Sequence, residues 1–266
     1  MNWWGKIIGG TFGFMMGGPL GALLGATLGH NFDRGLHGVS GEFAYSPGRQ
    51  ERVQTAFFTA TFSVMGNICK ADGQVTEDEI VLAQQVMAQM DLSAQQRKTA
   101  MALFNEGKKS SFRIDDILLQ LKQEIGYRPN LQRMFIEIQL YAAYADGALH
   151  PAEKTLLLKV CQTFGFNKHD FENLSAAIVG EINRQRRSVQ ATKGPAISLE
   201  DAYASLNIPT NSSDAEVKRA YRRLMNQHHP DKLVSKGLPE EMMKIAEHRT
   251  HEIRQAYERL KEARGF

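Results

Sequence analysis

Apolar residues recur at helical spacing through most of this chain, and the alternation expected of a half-buried strand is absent. Phe57, Phe58, Phe62 and Met65 fall on one helix face, and Ile80, Leu82, Ala83, Val86 and Met87 on another. Residues 52–182 therefore predict a helical bundle. Further along, Val217, Tyr221 and Leu224 form a stripe at i, i+4, i+7, with Lys218, Arg219, Arg222 and Arg223 on the other side of the same helix. Pro230 lacks an N–H and pushes His229 toward extended geometry, so this helix ends at or just before His229. Met242, Ile245, Arg249, Ile253, Ala256, Tyr257 and Leu260 trace the inner side of a last helix that folds back on it. The predicted class is all-α.

The N-terminus has a different pattern. Ile7 to Leu28 carries no charged side chain and is long enough to cross a bilayer, with Lys6 and Asp33-Arg34 bounding it. Trp3 and Trp4 suit a membrane–water interface. The cleavage site of a signal peptide is poorly represented, so the expectation is a retained anchor over residues 1–33. Gly9, Gly13, Gly17, Gly21, Gly25 and Gly29 fall every fourth residue, which on one helix makes a smooth strip where a second backbone fits. A homodimer through this strip is expected. Residues 34–51, rich in Gly and containing Pro47, read as a linker.

Within the bundle, Ala71-Asp72-Gly73 through Glu79 repeats as Ala145-Asp146-Gly147 through Glu153. Each copy follows one helix and precedes another, giving an internally repeated bundle that resembles the TerB-like (tellurite-resistance-type) domain. Two readings of the repeat stand. In one, the glycines end a helix, Thr76 and Glu79 make a capping box, and Pro151 takes a first turn. In the other, Asp72, Glu79, Asp146 and Glu153 are oxygen ligands for a hard cation. Capping is favoured, because no EF-hand spacing is present.

Composition narrows the function. A net charge of +3 favours neither nucleic acid nor an acidic substrate. Cys69 and Cys161 have no metal-ligand spacing and fall on apolar faces, so buried reduced thiols are expected. His228, His229 and Asp231 invite a metal or general-base reading, but adjacent histidines diverge on a helix and no ligand cluster converges on them. No cofactor, no intrinsic catalysis and no nucleic-acid partner are expected.

His229-Pro230-Asp231 after a basic helix, with Gln255-Ala256-Tyr257-Glu258-Arg259-Leu260 downstream, resembles the J domain of the DnaJ co-chaperone family. The resemblance covers residues 199–266, with residues 183–198 as a basic linker before it. It implies a helical hairpin that docks on a DnaK-type ATP-driven chaperone and triggers ATP hydrolysis. His229, Pro230, Asp231, Lys218, Arg219, Arg222, Arg223 and Lys232 then form the docking set, and a fragment from about Ser198 to Phe266 is expected to stimulate that hydrolysis alone. Taken whole, the order of anchor, TerB-like domain and J domain is similar to a family of membrane-anchored DnaJ-like co-chaperones. That implies a single-pass protein of the inner membrane, with its N-terminus periplasmic and its C-terminal domains cytoplasmic. The rival is a membrane-tethered helical adaptor or cation-binding protein in which the J domain is secondary.

Overall fold

The computed structural model describes residues 18–32, 48–71, 92–144, 149–190 and 198–266, together with 84, 87, 88 and 90. All regular structure among them is helical. Helix α1 is Gly18–Phe32, α2 Arg49–Cys69, α3 Ala94–Gly107, α4 Ile114–Ile125, α5 Pro129–Ala143, α6 Pro151–Thr163 and α7 Lys168–Gln190. The C-terminal region adds α8 (Leu199–Ser205), α9 (Asp214–His228), α10 (Pro230–Val234), a 3-10 turn at Glu240–Met242, and α11 (Met243–Arg264).

Helix α2 is the axis of the bundle. It is buried on every side from Val53 to Gly66, its Gln54, Thr55, Thr59, Thr61 and Ser63 included. Polar residues go inside at little cost where their hydroxyls bond their own helix: Thr61 Oγ1 donates to the Phe57 carbonyl (2.7 Å) and Ser63 Oγ to that of Thr59 (2.8 Å). Helix α3 crosses α2 at a point where both backbones lack a Cβ. A Cβ on Gly66 would lie 2.0 Å from the Phe104 carbonyl oxygen, and one on Gly107 would lie 1.8 Å from that of Ser63. Only glycine permits that approach. On the other flank, the Phe135 ring of α5 meets Phe57 edge-on at 5.8 Å and Phe164 at 5.6 Å.

Caps set the helix ends. Ser93, Ser198 and Ser213 accept from the N–H of Gln96, Asp201 and Glu216, and Glu216 returns a bond to the Ser213 N–H at 2.7 Å. Two expected boundaries move. Helix α2 begins inside the stretch expected as linker, because Glu51 accepts from the Gly48 N–H at 3.3 Å. Helix α7 runs through Asn183 to Gln190, also expected as linker, because no glycine or proline interrupts it before Gly194-Pro195.

The anchor differs more. No helix among the described residues is long and apolar enough to cross a membrane. Of the stretch expected as the anchor, residues 1–17 and 33 lie outside the described residues, and the rest, Gly18–Phe32, is a helix of 15 residues. Gly18 has φ +63°, a left-handed conformation, and Pro19 follows at a position suited to a helix start. Leu20 and Leu24 of α1 pack into the core of the bundle, and the Leu20 N–H donates to Gln120 Oε1 at 2.7 Å.

A second apolar core lies in the C-terminal region, where Ala202 of α8 and Leu206 at its C-cap, Val217, Ala220 and Leu224 of α9, and Ile253, Ala256 and Leu260 of α11 come together. Tyr221 and Tyr257 stack across its edge with ring centroids 4.1 Å apart. This is the expected hairpin. The segment after α9 packs elsewhere: Leu233, Leu238, Met242 and Ala246 are fully buried in the core of the bundle. Helix α11 thus serves the bundle at its start and the hairpin at its end.

Candidate functional site

Helix α9 turns its apolar stripe to α11 and its cations to solvent. Lys218, Arg219, Arg222 and Arg223 are all exposed. Two of them are partly steered from within, with Arg222 Nε donating to the Lys218 carbonyl at 3.3 Å and Lys218 Nζ standing 4.6 Å from the centre of the Phe266 ring. His229, at φ −59° and ψ 121°, closes α9 and simultaneously opens α10, with Pro230 as the first residue of the new helix. The tripeptide is therefore a fixed elbow between two helices. Asp231 and Lys232 are exposed on its outer side, and Lys232 Nζ donates to Asn226 Oδ1. His229 is half-buried, and its Nδ1 has no hydrogen-bond partner among the described residues.

The bundle braces this elbow from behind. Asn130 Nδ2 donates to the Asn226 carbonyl at 3.4 Å, ahead of the tripeptide, and Arg128 Nη1 donates to that of Lys236 at 2.8 Å, after it. Gln50 Nε2 reaches the Val234 carbonyl at 3.3 Å. Gly237, at φ +105°, lets the chain pass over Val53, whose Cγ1 would lie only 2.4 Å from any Cβ there.

His228 points the opposite way from the exposed face. It is 2% exposed, with Nδ1 3.5 Å from Glu137 Oε2 on α5. His228 and Asp231 therefore do not converge as an acid–base pair. Burial lowers the His228 imidazole from its usual 6.5 to about 4, with the Glu137 carboxylate opposing and Arg249 and Arg133 reinforcing. The unfolded chain takes up a proton near pH 6.5 that the folded chain refuses until about 4. The resulting stability is complete above pH 6.5 and is lost as pH falls toward 4; at pH 5 the loss is on the order of 2 kcal/mol. Urea unfolding at pH 7 and pH 5 is expected to show this difference in the native chain, and His228→Leu is expected to reduce it. Equal pH slopes in the two proteins would rule it out.

A buried ion pair joins the two cores. Arg249 Nη1 donates to Glu181 Oε2 on α7 and, at 3.3 Å, to Glu252 Oε2. The Arg249 side chain is 10% exposed, and its three carboxylate neighbours hold the guanidinium firmly charged against the cost of burial. His248 stands 3.8 Å from Glu181 Oε1 and 3.6 Å from Glu252 Oε1, which makes these three the one group of metal-ligand type among the described residues. Arg249 already supplies positive charge to both carboxylates there. A cavity of about 410 Å³ opens beside it, lined by Met134, Ile138, Ile178 and Ile245.

Of the four acidic residues weighed as cation ligands, Asp72, Glu79 and Asp146 lie outside the described residues. Glu153 caps a helix: its Oε2 accepts from the His150 N–H at 2.9 Å, and Pro151 follows at the first position. Of the glycine strip, Gly9, Gly13 and Gly17 lie outside the described residues, while on α1 Gly21 is buried and Gly25 exposed. Both cysteines are buried free thiols, and burial, helped by Asp170, pushes the Cys161 thiol up to about 12. The residues that the sequence pattern did not reveal are the braces Arg128 and Asn130 and the pair Arg249–Glu181.

Three family models match the chain in the order expected from the sequence: the co-chaperone DjlA transmembrane domain over residues 1–45, tellurite resistance protein TerB over 58–176, and the DnaJ domain over 201–264. The co-chaperone protein DjlA of Coxiella burnetii is 43% identical over 100% of both chains. The chain belongs to the DjlA co-chaperone family. Other DjlA proteins are equally full-length matches: that of Vibrio parahaemolyticus at 41% identity and that of Shewanella oneidensis at 43%, each covering 100% of both chains. No solved structure matches. DjlA membership accounts for the helical hairpin, the bundle and an anchor segment at the N-terminus, the last carried by the family match rather than by helix α1.

Proposed function

We propose that this DjlA-family chain is a membrane-anchored co-chaperone whose J domain accelerates ATP hydrolysis by a DnaK-type chaperone at the cytoplasmic face of the inner membrane. The chain itself performs no catalysis; the helical bundle recruits a partner or client, and the glycine strip pairs two protomers. The observation that carries this reading is the elbow at His229-Pro230-Asp231, with four exposed cations on the helix leading to it and a brace from the bundle behind it. An exposed basic face steers a partner of acidic surface and fixes its orientation, and Asp231 is free to make a charge-assisted bond with a partner arginine. Because the partner consumes ATP, these domains belong on the cytoplasmic side, which leaves the N-terminus outside.

The test is association of the full chain with an ATP-loaded DnaK-type chaperone across a salt series. The double change Arg222→Glu, Arg223→Glu is expected to slow association about tenfold at low salt and to flatten its salt dependence, because steering acts through screened charges. Identical salt profiles for the two proteins would mean that the basic face is only solvated.

A further inference from the structure

Helix α11 carries His248 and Glu252 at i and i+4, a spacing that sets both side chains on one face, and α7 brings Glu181 up to that face. His248 Nε2 stands 3.8 Å from Glu181 Oε1 and 3.6 Å from Glu252 Oε1. One ligand atom from each of the three residues lies within 4.8 Å of the others. The two carboxylates divide their oxygens. Each Oε2 accepts from Arg249 Nη1, at 3.3 Å in the case of Glu252, while each Oε1 turns to the imidazole. The guanidinium thus orients both carboxylates from one side, as an outer partner orients a metal ligand. Glu181 and Glu252 are buried and held in place, whereas His248 is half-exposed and gives access from solvent. The cavity of about 410 Å³ reaches Glu181 and His248, which leaves room for an ion and its water.

From this division of oxygens we infer that Glu181, His248 and Glu252 form a binding site for a zinc-type divalent cation, which pins helix α11 of the J domain to helix α7 of the bundle. Zinc bonds imidazole nitrogen and carboxylate oxygen at about 2.0–2.2 Å, so ligand atoms in a tetrahedron stand about 3.4 Å apart. The separations of 3.6 and 3.8 Å from His248 exceed that by a few tenths of an ångström, which a small rotation of the half-exposed ring closes. Two carboxylates outweigh one guanidinium, so these groups together keep the negative charge that a cation needs. The imidazole favours zinc over calcium or magnesium, which take oxygen ligands. Three protein ligands leave the fourth position for water. The inference needs neither the elbow nor a chaperone.

The experiment is calorimetric titration of the full chain in nanodiscs with zinc, against a competing chelator, for the native protein and for His248→Gln. The native chain is expected to take up one tight equivalent. His248→Gln is expected to weaken it about a hundredfold or more, at least as much as the loss of an outer partner costs. In excess chelator the two proteins are expected to melt at the same temperature, and zinc is expected to raise that of the native chain alone. Calcium at the same concentration is expected to leave both unchanged. The absence of a tight equivalent in the native chain would overturn the inference. Equal zinc affinity in His248→Gln would place the ion elsewhere and overturn it too, and an equal rise with calcium would mean that the imidazole is no ligand.

Discussion

Arg249→Ala is expected to destabilise the full chain by about 3–5 kcal/mol, the penalty for leaving buried carboxylates without their counter-charge. Glu181 and Glu252 are both buried, and Arg249 is hydrogen-bonded to each. Removing it takes away the guanidinium and opens space beside an existing cavity of about 410 Å³. For a chain of this size the loss corresponds to a fall in melting temperature of about 10 °C. Calorimetry on the native and substituted chains reads it directly. Arg249→Met combined with Glu181→Gln is expected to recover part of the loss, because an apolar replacement strands less charge. A melting temperature for Arg249→Ala within about 1 °C of native would show that the junction is solvated and the two cores are independent.

The consequence for function is that the J domain is not a free module. Its α8–α9–α11 core stands by itself, but Leu233, Leu238, Met242 and Ala246 are buried in the bundle. A fragment from Ser198 onward keeps the hairpin and loses the packing that holds the segment after Asp231. Such a fragment also lacks Arg128, Asn130 and Gln50 behind the elbow, and the stimulation expected of it alone is weaker than that of the full chain.

Much of the hairpin was legible in the sequence because its signals are local. The stripe of Val217, Tyr221 and Leu224, the Ser213–Glu216 box and Pro230 each fix geometry within a few residues. The shared use of α11 was not legible. Met242 and Ala246 face one core and Ile253, Ala256 and Leu260 another, yet both cores lie on the same helical stripe, so periodicity reads them as one surface. The polar residue inside that stripe, Arg249, was the available signal: an arginine on an apolar face calls for a buried acidic partner. Helix α2 misleads in the opposite sense. Thr59, Thr61 and Ser63 look like an exposed polar edge, but all three are buried. In the turn at Gly126-Tyr127-Arg128-Pro129 the punctuation was readable, whereas the reach of Arg128 to the Lys236 carbonyl spans 108 positions and is a product of tertiary packing.

The change with the largest functional effect is His229→Gln. The ring sits at the junction of α9 and α10, outside the apolar core of the hairpin, and its Nδ1 has no partner among the described residues. The fold therefore does not depend on it: the break between the helices is set by Pro230, and the position by Asn130 and Arg128. Glutamine keeps polarity and approximate length but removes the imidazole that a docked chaperone would meet. The decisive measurement is single-turnover ATP hydrolysis by an ATP-loaded DnaK-type chaperone with the native full chain and with His229→Gln, both in nanodiscs and both checked for equal melting temperature. The native chain is expected to accelerate hydrolysis and the variant to leave it at the basal rate. Equal acceleration by the two would contradict the assignment of the elbow as the site through which this protein acts.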